Sequence, residues 1–286
     1  MAVHEAVAAA PAIPARRRRA VPYTLAAGVA IVVALALLAL AGAVHPPYDP
    51  LATNPALQLA PPGPGHPLGT DSYGRDMLSR IMAGAGLDLL IAVLVTAISF
   101  SLGVVVGSAS AYLGGWVDDV VLRIVDIVQS FPAFVLALAI TAVLGNSLRN
   151  VVIAIAVAYT PYFIRLTRGE VLAARRADYA ENARAVGNPA WRIVLLHLLP
   201  NSVAPAVVQA SLTMGWSILD ASGLSFLGLG LKPPTPEWGV EVSEGASNIV
   251  AGQWWTSVFP GAVIALAVIG FNLIGDALRD RFGGGR

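Results

Sequence analysis

Between Leu89 and Gly115 the chain reads LLIAVLVTAISFSLGVVVGSASAYLGG, without one charged residue. A helix of about 20 apolar residues crosses the roughly 30 Å hydrocarbon core of a bilayer. Only helices and closed barrels satisfy their backbone groups in lipid, and this run lacks the alternation of a barrel strand. The stretch therefore predicts a membrane-spanning helix and an all-α membrane protein.

The overall composition agrees with a chain embedded in lipid. The 286 residues are 56% hydrophobic and 12% charged, with a mean hydropathy of +0.71. A soluble domain carries about 25% charged residues, so these few cannot cover a water-soluble globule of this size. The sequence has no cysteine, which excludes disulfides, thiolate metal sites and a cysteine nucleophile.

Uncharged windows along the chain predict six transmembrane helices. They are Val21–Val44, Leu89–Gly115, Ile127–Gly145, Asn150–Ile164, Asn201–Leu219 and Val258–Gly275. The fourth window, between Arg149 and Arg165, is short and contains Pro161, so we expect it to extend at both ends.

The basic residues predict the orientation. Six crossings place both termini on one side, and the run Arg16–Arg19 marks that side as cytoplasmic, where most of the other arginines also fall. Trp254 and Trp255 then lie at the outer interface, as in an aromatic belt. The alternative of a cleaved signal peptide, with Ala41-Gly42-Ala43 as its small-residue site, conflicts with an apolar stretch too long for a signal core.

These assignments divide the chain into four segments. They are a basic cytoplasmic tail at 1–20, the first transmembrane helix at 21–44, a proline-rich extracytoplasmic loop at 45–86, and a five-helix core at 87–286 with an inner loop at 166–200.

The predicted spans have no charge at their centres, which disfavours coupling to a proton or sodium gradient. Four aspartates are expected near span ends as interfacial or capping groups: Asp88, Asp126, Asp220 and Asp276. A P-loop needs a lysine followed by serine or threonine, but the one lysine, Lys232, precedes Pro233. The sequence therefore predicts neither an ATPase nor another enzyme in this chain.

The inner loop alternates helix starts and stops. Asp178 with Glu181 predicts an N-cap and capping box for a helix ending near Val186, and Gly187 predicts a left-handed C-cap. Asn188 is then expected to cap a second helix that begins at Pro189.

The resulting helical hairpin, residues 178–192, has two alternative interpretations. Its basic residues surround small ones, which suits a rigid plug for the groove of a partner protein. Basic helices next to a membrane also bind anionic lipid headgroups, so an amphipathic loop on the lipid surface remains the alternative.

The hairpin resembles the signature loop of bacterial ABC-importer permeases, EAA, three residues, G, nine residues, I-x-L-P. The matching residues are Glu181-Asn182-Ala183, Gly187, His197, Leu199 and Pro200. Asn182 and His197 depart from the pattern, and a histidine at the latter position is familiar in the dipeptide/oligopeptide/nickel branch.

Further motifs resemble the C-type permeases of that branch. They are His66–Asp71 with Gly74–Asp76, Gly114–Asp118, Asp126–Pro132, Leu224–Gly230, Pro233–Gly239, Phe259–Gly261 and Phe271–Asp280.

The resemblance implies a type I ABC-importer permease fold and a peptide import complex. Its partners would be a homologous second permease, two ATPase domains that bind ATP and magnesium, and an extracytoplasmic binding protein. No cofactor or metal is expected in this chain. Nickel chelates or glutathione remain alternative substrates, and a stand-alone gradient-driven carrier is the alternative of another class.

The residue-by-residue match assigns ATPase docking to Glu181, Ala183 and Gly187, to which we add four neighbours. These are Arg184, Asn188, Trp191 and Arg192. Two further patterns are open: Gly103 and Gly107 predict a close helix contact, within the bundle or at the seam between permeases. The run Ser225–Gly230 is either re-entrant or tightly packed.

Overall fold

The computed structural model describes residues 21–283 as helices joined by turns and short loops. In chain order the helices are α1 Val21–Val44, α2 Met77–Leu113, α3 Gly115–Gln129, α4 Ala133–Leu144, α5 Leu148–Ala174, α6 Asp178–Ala185, α7 Ala190–Arg192, α8 Leu199–Ser202, α9 Ala204–Phe226, α10 Trp238–Ile249 and α11 Trp255–Gly283. A π-helix, Ile193–Leu198, joins α7 to α8, and a 3₁₀ turn lies at Pro55–Leu57. The predicted tail 1–20, with Arg16–Arg19, lies outside the described residues.

Four helices are long and apolar enough to cross a membrane: Tyr23–Val44, Met77–Leu113, Leu148–Ala174 and Trp255–Phe282. Two further spans are possible as bent pairs. The pair α3 and α4 bends by 86°, and the segment Ala190–Ser202 meets α9 at 63°. The described residues therefore hold four candidate spans, or six when each bent pair is one crossing.

The predicted third span, Ile127–Gly145, is wrong as one straight helix. The break falls at Ser130–Pro132, and α4 starts directly after Pro132. Proline has no amide hydrogen to donate and disfavours helical geometry in the residue before it, so a helix ends there. A hydropathy window averages over such a break and does not detect it.

The fourth span extends at both ends, as expected from its short uncharged window. In α5 the Ser147 side chain accepts a hydrogen bond from the amide of Asn150 at 3.2 Å and begins the helix, which continues through Pro161 to Ala174. The uncharged window was shorter than the helix because Arg149 and Arg165, which bound the window, both lie within α5, where arginines are expected near the interfaces.

The bundle core lies where α2 packs along α5. A Cβ on Gly103 would lie 2.1 Å from Phe163 Cβ, and one on Gly107 would lie 2.6 Å from the carbonyl oxygen of Ile164. Only glycine allows the two backbones to approach so closely. Of the two alternatives for this motif, packing within the bundle is confirmed.

The predicted extracytoplasmic loop, 45–86, is too long at its end, because α2 already begins at Met77. Asp76 caps this helix, with its Oδ2 accepting from the amide of Ser79 at 2.8 Å. Ser79 and Arg80 are polar yet fully buried near the start of this helix, and the sequence allows a short helix over Asp71–Arg80 at the end of the loop.

Candidate functional site

The first helix of the hairpin 178–192 begins at Asp178, one residue earlier than predicted. Ala177, in an extended conformation, is the N-cap of α6, and no side chain caps the helix there. The prediction of Asp178 as the cap is wrong. Asp178 and Glu181 instead occupy the first helical turn, where their charge interacts favourably with the helix dipole.

The turn at Gly187 is confirmed. Its φ is +78°, its amide donates to Arg184 O at 2.9 Å, and the amide of Asn188 donates to Ala183 O at 3.2 Å. These two bonds form a Schellman motif, which satisfies the last carbonyls of α6 and requires a left-handed residue. A Cβ added at Gly187 would have no atom within 4 Å, so the need for glycine here is conformational.

The predicted cap of the second helix is wrong. Asn188 turns back to α6, where its Nδ2 donates to Ala183 O at 3.1 Å, and Pro189 takes the N-cap position. The short α7 continues into the π-helix and α8, and the chain bends into α9 after Ser202. The second arm of the hairpin is thus continuous with a membrane helix.

One face of α6 is fixed to the rest of the protein. Ala180 is fully buried and Ala183 is 6% exposed, in a cluster with Ala111, Val171 and Ile193. Ala183, one of the residues predicted to dock an ATPase, has its side chain packed inward in this structure. Its role here is to hold α6 against α2, α5 and the π-helix.

The other face of the hairpin is open. Glu181, Arg184, Gly187 and Arg192 are exposed, Trp191 is 59% exposed, and Asn188 is partly buried. Sequence reasoning missed Val186, which lies at the turn and is 77% exposed. An apolar side chain directly before the predicted turn glycine was the available signal.

Arginines at the base of the hairpin bind within the chain. Arg175 Nη1 donates to Ala111 O at 2.5 Å, and Arg184 Nη2 donates to Arg175 O at 3.0 Å. Arg168 Nε donates to Asp118 Oδ1 on α3 at 2.6 Å. Arg184 therefore joins α6 to the end of α5, and that end is joined in turn to α2 by Arg175 and to α3 by Arg168.

At the opposite end of the bundle lies a second polar site, which we call the outer charge cluster. Its members come from the loop after α1, the start of α2, and α10: Asp71, Arg75, Arg80, Glu241 and Glu244. Arg75 donates to Asp71 Oδ2 at 2.5 Å and to Glu244 Oε2 at 2.8 Å. These contacts join segments far apart in sequence.

Arg80 lies at the centre of the outer charge cluster and is 0% exposed. Its Nε lies 3.6 Å from Asp71 Oδ2 and 3.7 Å from Glu241 Oε1. Its Nη1 donates to two backbone carbonyls, those of Pro50 and Pro234. Arg80 therefore holds the outer loop, α2 and the segment before α10 together.

Glu241 is the least satisfied member of the cluster. It is 3% exposed, and neither carboxylate oxygen has a hydrogen-bond partner among the described residues. Burial raises the pKa of Glu241 to about 8, although the nearby Arg80 favours the ionised form. At this site the loss of hydration outweighs the attraction of one arginine at 3.7 Å.

The helix α10 was not predicted. Glu237 caps it, accepting from the amides of Gly239 at 3.0 Å and Val240 at 2.8 Å. Trp238 is fully buried, and its amide donates to Asp88 Oδ2 at 3.1 Å. The charged and aromatic residues in Pro233–Gly239, unusual in so apolar a chain, were the signal for this element.

Two of the four aspartates expected near span ends are buried inside the bundle. Asp88 is fully buried at the α2–α10 contact, where its Oδ2 accepts from the amide of Trp238, the first residue of α10, as a capping group does. Asp220 Oδ2 accepts a hydrogen bond from the Tyr159 hydroxyl at 2.9 Å, between α9 and α5. Tertiary packing supplies these partners and allows a carboxyl group to lie inside the bundle.

The run Ser225–Gly230 is tightly packed. It forms the turn at the end of α9, with Gly228 at φ +76°. A Cβ on Gly230 would lie 2.3 Å from Ser225 Oγ, and Asn146 Nδ2 donates to the carbonyls of Gly228 and Gly230 at 2.7 and 3.0 Å. The glycines permit this close turn.

Across residues 21–283, no three histidine, aspartate or glutamate side chains come together as a ligand set for a metal ion.

Known proteins with similar sequences identify the family of this chain. Residues 99–284 match the family described as binding-protein-dependent transport system inner membrane component. The chain is 41% identical over 261 residues to the probable D,D-dipeptide transport system permease protein DdpC of Escherichia coli K12, covering 91% of this chain and 86% of that protein.

Two further relatives have similar coverage. The dipeptide transport system permease protein DppC of Alkalihalophilus pseudofirmus is 44% identical, covering 80% of this chain and 75% of that protein. The glutathione transport system permease protein GsiD of Pectobacterium atrosepticum is 41% identical, covering 77% and 72%.

The chain therefore belongs to the family of binding-protein-dependent transport system inner membrane components, and it is a multi-pass membrane protein. The resemblance to ABC-importer permeases of the dipeptide/oligopeptide/nickel branch is confirmed.

Proposed function

We propose that this chain is a permease subunit of an ATP-driven peptide importer, and that the hairpin 178–192 transmits ATPase movement to the membrane helices. The observation that carries the proposal is a rigidly mounted hairpin with one buried and one open face. Its buried face packs on α2 and α5, while its open face has charged and aromatic side chains available to a partner.

In the proposed topology each bent pair is one crossing, which gives six spans with both termini in the cytoplasm. The hairpin and its arginines then lie on the cytoplasmic side, and the outer charge cluster lies on the extracytoplasmic side. The positive-inside rule supports this orientation, because the loop 166–200 is rich in arginine.

The coupling step follows from the covalent connections of the hairpin. Its first arm follows α5, and its second arm continues through the π-helix into α9. Movement of a docked ATPase would therefore shift α5 and α9 together. A rigid element whose position is biased by a partner is a sufficient basis for switching a transporter between two states.

The proposed complex holds a homologous second permease, two ATPase domains that bind ATP and magnesium, and an extracytoplasmic binding protein. Peptides are the substrate class favoured by two relatives named for dipeptides. Glutathione is the second candidate because one relative is named for its transport.

The test of coupling uses the left-handed turn in the complete complex reconstituted in liposomes. Gly187→Val places a β-branched residue at φ +78° and is expected to reduce ATP-dependent uptake at least tenfold while the subunits still copurify. Gly187→Asn is the matched control, since asparagine tolerates this conformation, and uptake should stay within about twofold of wild type. Full uptake by Gly187→Val would reject the coupling role.

The same liposomes separate the importer from a stand-alone carrier. The chain alone should support no uphill peptide uptake and no ATP hydrolysis, with or without an imposed proton or sodium gradient. Concentrative uptake by the chain alone would establish the carrier. Uptake of peptide and uptake of glutathione are then measured with the same complex and the same binding protein, and the substrate that is taken up faster is assigned.

A further inference from the structure

A cavity of about 280 Å³ lies between the ends of α5, α9 and α11. This is the volume of roughly nine water molecules. Its lining includes the exposed residues Asn201, Arg279 and Phe282, so the space opens to the outside of the bundle. It is separate from the open face of the hairpin and from the outer charge cluster.

The lining combines apolar walls with a polar rim. Leu166, Val208 and Phe282 contribute to the walls, and Phe282 is 47% exposed. Asn201, Gln209 and Arg279 contribute the polar groups. Asn201 Nδ2 already donates to His197 O at 2.8 Å, and Gln209 Nε2 lies 3.4 Å from Thr213 Oγ1.

Arg279 is the one charged side chain among the described residues that line the cavity. It has no hydrogen bond, ion pair or ring contact with any other described residue. Arg279 is exposed at the rim, so the cavity combines an accessible cation, without a side-chain partner among the described residues, with apolar surface at the ends of α5, α9 and α11.

This charge pattern distinguishes between two classes of occupant. A peptide has a carboxylate and an ammonium group, and the described lining offers no carboxylate for the ammonium. An anionic phospholipid has a net negative headgroup and an apolar chain, which match Arg279 and the apolar walls. Basic pockets between transmembrane helices commonly hold such headgroups.

We propose that the cavity between α5, α9 and α11 binds one anionic phospholipid, with its phosphate at Arg279 and part of an acyl chain against Leu166, Val208 and Phe282. In the proposed orientation this lipid belongs to the cytoplasmic leaflet. The inference goes beyond the transport function and does not depend on ATPase coupling.

The test measures lipid retention by the full chain. The purified chain is equilibrated in detergent with dioleoyl phosphatidylglycerol or dioleoyl phosphatidylcholine, and bound lipid is counted by native mass spectrometry. One phosphatidylglycerol should be retained in preference to phosphatidylcholine. Arg279→Gln should weaken phosphatidylglycerol retention about fivefold, the effect of one basic residue near a membrane surface, and leave phosphatidylcholine unchanged.

Arg281→Gln is the matched control, because Arg281 is exposed on the same helix but does not line the cavity. It should leave retention unchanged. Val208→Phe fills the cavity and should remove the bound lipid, and Ala204→Leu on the same wall serves if the first variant unfolds in a tryptophan-detected melt.

Several outcomes would overturn the proposal. Equal losses in Arg279→Gln and Arg281→Gln would indicate attraction to the helix end in general. Displacement by millimolar inorganic phosphate would show a phosphate site, and displacement by dialanine would show a substrate site. Loss of the lipid when the second permease is coexpressed would show that a protein partner covers the cavity.

Discussion

The two polar ends of the bundle use charge in opposite ways. In the outer charge cluster the arginines and Glu241 are almost fully buried and contact one another across three segments of the chain. On the hairpin 178–192, Glu181 and Arg192 are exposed on a short helical scaffold. Buried charge holds segments together because each group needs its partners, whereas exposed charge remains available for another molecule.

This contrast predicts that substitutions at the outer end lower stability and that substitutions on the hairpin lower coupled transport. The loss of stability should be greatest where buried charges lose their partner, and smallest where an exposed charge is removed.

The largest effect is expected for Arg80→Met. The change removes one of the two cations beside Asp71 and leaves the carbonyls of Pro50 and Pro234 without their donor, and breaking a buried charge network of this kind typically costs about 3–5 kcal/mol. The measurement is the thermal midpoint of the purified chain by tryptophan fluorescence. Arg192→Met on the hairpin is the control and should change stability by less than about 0.5 kcal/mol.

Arg80→Lys sharpens this comparison, since it keeps the charge and loses the fork of donors to Pro50 and Pro234. Its midpoint should fall between those of wild type and Arg80→Met. Similar midpoints for Arg80→Met and Arg192→Met would contradict the difference between the two ends.

Glycines at the two ends of the bundle should be required for different physical reasons. A Cβ on Gly239 would lie 2.4 Å from the backbone of Ser222, so Gly239→Ala should separate α10 from α9 and cost about 1–3 kcal/mol. Gly187→Ala meets no atom and should cost about 1 kcal/mol from its positive φ alone.

Asparagine distinguishes the two causes. Gly187→Asn should recover most of the stability lost in Gly187→Ala, whereas Gly239→Asn should be worse than Gly239→Ala because its side chain is larger. If Gly239→Asn were more stable than Gly239→Ala, backbone conformation and not close packing would be the reason that position 239 requires glycine.

The pH dependence of stability should depend on Glu241. Its folded-state pKa is raised to about 8 from an ordinary value of 4.5, so the protonated form is favoured by folding. The associated stability is fully present below about pH 4.5 and is lost as pH rises through about 8. Between pH 7 and pH 9 the chain should lose roughly 1 kcal/mol.

Glu241→Gln should remove this dependence, because glutamine does not ionise. Thermal midpoints of both proteins at pH 6, 7, 8 and 9 make the comparison. If the thermal midpoints of wild type and Glu241→Gln fell equally with rising pH, the titrating group would be one other than Glu241.

The smallest effect on stability is expected for Glu181→Ala. The Glu181 side chain is exposed and makes no hydrogen bond or ion pair with another described residue, so stability should change by less than about 0.5 kcal/mol. ATP-dependent uptake by the reconstituted complex should nevertheless fall severalfold. Normal uptake in this variant would remove Glu181 from the proposed docking surface.

Sequence reasoning succeeded where local properties decide the structure. The first helix ends at Val44 as predicted, because an uninterrupted apolar run determines a lipid-crossing helix. The turn at Gly187 was predicted because a left-handed C-cap depends on a few adjacent residues. Both features need no information from distant parts of the chain.

It failed where a residue's partner is remote. Asp88 and Asp220 were expected near span ends as interfacial or capping groups, but nothing near them in sequence indicates Trp238 and Tyr159 as their partners. Asn188 was assigned as a cap for the following helix, but its side chain binds the preceding one. In each case two local alternatives were possible and packing selected one.

The amino-acid sequence by itself determined the membrane class, the approximate positions of the spans and the glycine turn, because hydropathy and backbone preference act over neighbouring residues. The tertiary structure alone decided which charges are buried and that α10 returns to lie against α2. Those outcomes depend on contacts between distant segments, whose energies no single stretch of sequence contains.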